Sequence, residues 1–137
     1  MINIIYGAKG TGKTKKIIDL ANNGVNSKKG DSVFLAASSR YRMEIQPEIR
    51  FINVLDIGIN SKDGLIGFVK GLTNANYDIE TIYIDGVYKM LCTSLDSNES
   101  AEFFMAMDAL SQAGISFIIT ASCDKDKLPE FIAKYVD

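Results

Sequence analysis

The chain has no histidine among its 137 residues. That absence excludes an imidazole general base, a serine or cysteine triad built on one, and most zinc and non-haem iron sites. Whatever chemistry occurs must run on carboxylates, lysine, hydroxyls and a bound ion. The two cysteines, Cys92 and Cys123, form neither a close pair nor a metal-ligating spacing, so reduced thiols are expected. Arginine is scarce as well: Arg40, Arg42 and Arg50 are the only three. Lysine and arginine total 15 against 17 acids, a net charge of −2. This balance argues against a general nucleic-acid binder, whose footprint is a basic face. No run approaches the ~20 apolar residues of a membrane span. Met1 stands directly before the first apolar run, which leaves no room for a signal peptide and points to a cytoplasmic protein. No repeat, low-complexity tract or linker divides the chain, and at this length a single domain, residues 1–137, is expected.

Against these absences stands one stretch with a full pattern. Gly7-Ala8-Lys9-Gly10-Thr11-Gly12-Lys13-Thr14 matches G-x-x-x-x-G-K-[ST] at every fixed position. An apolar run, Ile2 to Tyr6, enters it, and a segment with helical character, Lys13 to Ala21, leaves it. A triphosphate is a polyanion, so its site needs many donors at close range. Gly7, Gly10 and Gly12 allow backbone conformations that turn successive N–H groups inward. The helix that starts at Lys13 adds its positive end. The whole loop, Gly7, Ala8, Lys9, Gly10, Thr11, Gly12, Lys13 and Thr14, is therefore the expected binding segment for a nucleoside triphosphate. Lys13 is the expected partner of the outer phosphates, and the Thr14 hydroxyl the expected ligand of a magnesium ion. Lys9, Lys15 and Lys16 add a solvated positive rim.

The rest of the chain alternates apolar strands with amphipathic helices. Ile17, Ile18 and Leu20 give the first helix its apolar face. Ser32 to Ala37 reads as a strand, Ser38 to Glu48 as a loop with one helical turn, and Arg50 to Leu55 as a weaker strand. Ser61 reads as an N-cap for a helix carrying Leu65, Ile66, Phe68, Val69 and Leu72, whose Gly64, Gly67 and Gly71 suggest close packing on a sheet. Thr81 to Ile84 is a strand that ends in Asp85. A short helix is expected at Val87 to Cys92. Asp96 with Glu99 has capping-box spacing for a helix with Phe103, Phe104, Met107 and Leu110 inside and Gly114 past its end. Ile115 to Thr120 is the last strand. Pro129 opens a terminal helix with Phe131, Ile132, Tyr135 and Val136 on its face. The expected fold is α/β, a three-layer αβα sandwich on a mostly parallel sheet of about five strands. Ligands in such folds collect beyond the carboxyl ends of the strands, where Gly7, Ser38, Asp56, Asp85 and Thr120 stand.

Thr81-Ile82-Tyr83-Ile84-Asp85 resembles the Walker B element of the P-loop NTPases, and with Gly7 to Thr14 it makes the chain similar to that superfamily. The resemblance implies that Asp85 holds the magnesium ion together with Thr14. The end of the last strand, Thr120-Ala121-Ser122, resembles the polar sensor that RecA-like ATPases place beside the γ-phosphate. Lys13, Asp85 and Thr120 are thus the residues to which the resemblance assigns catalysis. Many RecA-like ATPases carry a water-polarising glutamate directly after the aspartate. Here that place is Gly86, which implies slow hydrolysis unless Glu99 or Asp124 approaches from a loop. Asp56 cannot substitute: in the RecA-like order its strand lies about four strands from the first, roughly 19 Å at ~4.8 Å per step. Kinase-type and RecA-type sheets differ in whether the Asp85 strand neighbours the first strand. The guanine-reading N-K-x-D pattern is absent, so ATP with Mg2+ is the expected ligand pair.

The pattern also resembles a small stand-alone bacterial P-loop family of unassigned function, sometimes labelled ATP-binding or twitching-motility-like. The length and the histidine- and acid-containing boxes of hexameric secretion motors are missing. Three readings follow. The first is a slow or partner-dependent ATPase acting as a nucleotide switch, its site completed by a protein partner or a second copy, with Arg40 and Arg42 as charge stabilisers or a solvated loop. The second is a small-molecule or nucleotide kinase with its acceptor site in Ser38 to Asn60, although no arginine-rich lid is present. The third is a degenerate NTPase serving as a binding module.

Overall fold

Odd and even positions of each strand point to opposite faces of a sheet, and in this chain both sets are apolar. On the strand that ends in Asp85, Ile82 and Ile84 face one way and Tyr83 the other. On the last strand, Phe117, Ile119 and Ala121 oppose Ile118. Strands of this kind must be covered on both sides. The computed structural model, which describes residues 1–27, 29–94, 96–123 and 128–136, shows how this is done. Five strands, β1 (Ile2–Gly7), β2 (Asp31–Ala36), β3 (Arg50–Asn53), β4 (Ile79–Asp85) and β5 (Ser116–Ser122), form one sheet in the order β1-β5-β4-β2-β3. Every strand pair in it is parallel. The helices are α1 (Lys13–Gly24), α2 (Lys62–Ala75), α3 (Val87–Leu91), α4 (Asn98–Gln112) and α5 (Glu130–Ala133).

The two faces carry separate cores. Ile2, Ile4, Val33, Leu35, Ile82, Ile84, Phe117 and Ile119 meet α2 through α5 at Leu65, Val69, Met90, Phe103, Met107 and Ile132. The opposite face packs Phe34, Ala36 and Tyr83 against Ile17, Ile18 and Ala21 of α1, with Ile45 and Ile49 from the segment before β3. The fold is thus an αβα sandwich, as the alternation of elements implied. On the α1 side an aromatic ladder crosses three strands in register: Phe34 stacks on Phe51 of β3 at 5.8 Å and on Tyr83 of β4 at 6.2 Å between centroids. Such pairs add about 0.5–1.5 kcal/mol each beyond the area they bury. Among the described residues, no helix is long and apolar enough to cross a membrane.

Three expectations need correction. Gly67 and Gly71 do not pack on the sheet; both are exposed, and a Cβ built on either meets nothing within 4 Å. The cap of α4 is Ser97, whose hydroxyl accepts from the Ser100 N–H at 3.1 Å, one residue beyond Asp96. The terminal helix is a single turn that ends at Ala133, and the chain then bends so that the Tyr135 carbonyl accepts from the Ile4 N–H at 3.1 Å on the outer edge of β1. Ser61 caps α2 as expected, accepting from Gly64 N–H at 3.1 Å, and a 3-10 turn, Arg42–Glu44, lies in the 38–48 loop.

Candidate functional site

Strand parity decides where the chemistry-bearing side chains go. Asp85 shares its parity with Tyr83, and Thr120 with Ile118, so both point to the face that α1 covers. Ile84 of β4 stands opposite Ile119 of β5, and Asp85 and Thr120 are the next residue on each strand. They therefore meet at the carboxyl edge of the sheet, beside the start of α1. Thr120 Oγ1 donates to Asp85 Oδ1 at 2.8 Å, and the Thr14 hydroxyl approaches the same oxygen at 3.4 Å. Three side chains separated by up to 106 positions in sequence (14 against 120) are thereby joined. Gly86 N–H donates to Thr120 Oγ1 at 2.8 Å, which ties the turn after β4 into the same cluster.

The loop Gly7 to Thr14 passes over this cluster from the end of β1. Gly10 and Gly12 have φ of 87° and 86°, a left-handed backbone that side chains disfavour. The result is a run of exposed donors. Among the described residues, the amides of Gly10, Gly12, Lys13, Thr14 and Lys15 make no hydrogen bond within the chain, whereas Thr11 N–H reaches the Ala8 carbonyl at 3.3 Å. Such unpaired amides at a helix start, with the helix dipole behind them, attract an anion. Lys13 lies across the loop, its Nζ donating to the Ala8 carbonyl at 2.9 Å, and Thr11 Oγ1 donates to the same carbonyl at 2.7 Å. Lys9, Lys15 and Lys16 are exposed around it.

The remaining candidates are not brought there. Asp56 is exposed beyond β3, four steps across the sheet from β1, or about 19 Å. Arg42 sits over the Phe51 ring at 4.8 Å, capping the aromatic ladder at that far edge, and Arg40 lies over Tyr41 at 5.2 Å. Glu99 is exposed in the first turn of α4. Asp124 lies outside the described residues. Cys92 is exposed and Cys123 buried, and neither is in a disulfide. The Cys123 N–H donates to the Gly7 carbonyl at 3.0 Å, which fastens the segment after β5 to the first glycine of the loop.

Two further features escape sequence reasoning. A groove of about 300 Å3 runs from Gly12 along Lys15, Lys16, Asp19, Leu20 and Asn23 on the outer side of α1; only helical spacing hints at it. A cavity of about 800 Å3 lies along β3, bounded by Arg42, Arg50, Phe51, Asn53, Asp56 and Phe68, on the edge opposite to the loop. On the other face of the sheet, Tyr88 in the first turn of α3 shares a 2.7 Å hydrogen bond with Ser100 of α4, and burial pushes its phenol up to about 12 although that bond opposes the shift. Comparison of the chain with models of known protein families and with curated proteins finds no match.

Proposed function

We propose that the chain is a P-loop nucleotide-binding protein of RecA-like type that takes ATP with Mg2+ at Gly7 to Thr14 and works as a nucleotide-dependent switch, with hydrolysis slow or completed by a partner. The observation that carries this reading is the convergence of Thr14, Asp85 and Thr120 beside a loop in which, among the described residues, the amides of Gly10, Gly12, Lys13, Thr14 and Lys15 are unpaired. The position of β5 between β1 and the Asp85 strand supports a RecA-type over a kinase-type sheet.

The donors suit magnesium. Among the described residues, no three His, Cys, Asp or Glu side chains gather as a metal cage. Mg2+ does not need one: it keeps several waters and is held through one or two carboxylates plus phosphate oxygens. Asp85 and the Thr14 hydroxyl would supply the protein's share of an all-oxygen set. The ion, when bound, supplies charge neutralisation to the phosphates. Lys13 would hold its ammonium over the loop, and the unpaired amides of Gly10, Gly12, Lys13, Thr14 and Lys15 would orient the chain of phosphates. The groove from Gly12 along α1 offers a surface for the nucleoside end.

Gly86 favours the switch over an efficient hydrolase. Its φ of 81° places a left-handed residue where a water-polarising glutamate would otherwise stand. The separation of the β3 cavity from the loop weighs against a kinase whose acceptor binds in the 38–60 region, since phosphoryl transfer needs reacting atoms roughly 3–3.5 Å apart. Thermal unfolding with Mg-ATP, Mg-ADP, and ATP in excess chelator tests the proposal. A ligand at 100 times its Kd stabilises by about 2.7 kcal/mol. A switch requires a shift that depends on Mg2+ and differs between ATP and ADP. Equal shifts for the two nucleotides would favour a structural ligand instead, and no shift with either would remove the reading.

A further inference from the structure

We propose that Thr120 is a positioning residue, which orients the Asp85 carboxylate for the metal ion instead of touching the γ-phosphate; this rests on the Mg-nucleotide reading above. A hydroxyl has one proton and accepts with its lone pairs. Thr120 is 2% exposed, and its Oγ1 accepts from the Gly86 N–H at 2.8 Å. An amide can only donate, so that side of the oxygen is an acceptor. Its proton goes to Asp85 Oδ1, also at 2.8 Å. A group that reports on a terminal phosphate must donate to it, because phosphate oxygens are acceptors. Thr120 has already committed its only proton.

The geometry also gives that proton a purpose. Thr14 and Thr120 both reach Oδ1, and among the described residues no hydrogen bond reaches Oδ2. The carboxylate is therefore fixed about its terminal torsion with one oxygen held by the protein and the other turned free. Gly86 completes the arrangement: its N–H, in the peptide plane shared with the Asp85 carbonyl, reaches back to Thr120 on β5, and its left-handed φ of 81° turns the chain away after it. Partners that orient a metal ligand typically change metal affinity by about 10- to 100-fold.

The distinction is measurable without turnover. Mg2+ is titrated into the chain preloaded with a fluorescent ADP or a fluorescent non-hydrolysable ATP analogue, for the wild type, Thr120→Val and Thr120→Ser. Expected for Thr120→Val is a Mg2+ affinity weakened about 10-fold or more, by the same factor with either nucleotide, and unchanged nucleotide affinity in chelator. Thr120→Ser restores the wild-type Mg2+ affinity. Should Thr120→Val not fold, Thr120→Cys, similar in size but a much weaker donor, carries the same expectation. Loss of affinity for the triphosphate alone would assign Thr120 to the γ-phosphate and overturn the proposal. So would an unchanged Mg2+ affinity in a variant whose wild type binds Mg-nucleotide. A wild type that binds no nucleotide overturns the reading beneath it, and the assignment falls with it.

Discussion

One chemical change, glycine to alanine, should move stability in opposite directions at two places in this chain. Gly67 lies in the interior of α2 on its exposed side, and an added methyl meets nothing within 4 Å. There the change only narrows the unfolded chain and improves helix propensity, worth up to about 1 kcal/mol. Gly86 also has room for a methyl, which would meet Lys89 Cδ at 3.8 Å and Ala37 Cβ at 4.0 Å, ordinary van der Waals contacts. Its φ of 81°, however, costs an L-residue about 1–2 kcal/mol, offset by roughly 0.4–1 from the unfolded state. A net loss of about 1 kcal/mol is expected. With an unfolding entropy near 2.1 cal/mol/K per residue over about 137 residues, 1 kcal/mol corresponds to about 3–4 °C. Gly67→Ala should therefore melt about 3–4 °C above the wild type and Gly86→Ala about as far below it, read by circular dichroism and confirmed by urea midpoints. Gly71, four residues on and equally open, should add a similar increment in the double variant. Shifts of the same sign at Gly67 and Gly86 would refute the reasoning, because steric room, the one feature the two sites share, would then outweigh backbone conformation. A loss at Gly67 would mean that this face of α2 is covered in solution.

Two further outcomes follow from single side chains. Thr81 is fully buried on β4, and its hydroxyl has no hydrogen-bond partner among the described residues. Thr81→Val keeps the shape and removes an unsatisfied polar atom, so urea unfolding should show an unchanged or higher midpoint; a loss above about 1 kcal/mol would reveal a partner for the hydroxyl. Tyr88 is neutral in the folded chain up to about 12, raised by burial from an ordinary value of 10.0, and burial shifts Tyr83 in the same direction. Between those two values the unfolded chain has lost a proton that the folded chain keeps, so stability is full below about pH 10 and falls as pH rises towards 12. Melting temperatures from pH 9 to 12 should drop less steeply for Tyr88→Phe; an identical slope would place the alkaline loss elsewhere.

What could be read from the chain alone was whatever depends on local pattern. The loop from Gly7 to Thr14, the Ser61 cap, the run into Asp85 and the glycine after α4 each declare themselves within a few residues. What could not be read depends on pairing between distant segments. The contact of Thr120 with Asp85 exists because β5 lies beside β4 in a register that sets Ile84 against Ile119. Nothing in either strand's own sequence states that register. Gly67 and Gly71 misled because glycine in a helix fits either a tight contact or an idle surface, and only the helix's rotation on the sheet distinguishes them. Ser97 took the cap from Asp96 because both suit the place and the choice turns on one residue of phase. Arg42 drew attention as a charge near a strand end, yet a half-buried aromatic ring, Phe51, claims it at the opposite edge.

The most direct test is calorimetric titration of Mg-ATP into the wild type and Lys13→Ala. Lys13 is half-buried over the loop and, among the described residues, its ammonium is bonded only to the Ala8 carbonyl, so its loss should leave the fold intact. A charge-assisted bond to phosphate is worth about 1.5–3 kcal/mol, so the expected result is saturable binding by the wild type and affinity weakened about 10- to 150-fold in the variant. Wild-type heats no larger than dilution at millimolar Mg-ATP, or equal affinities for the two proteins, would contradict a triphosphate site at Gly7 to Thr14.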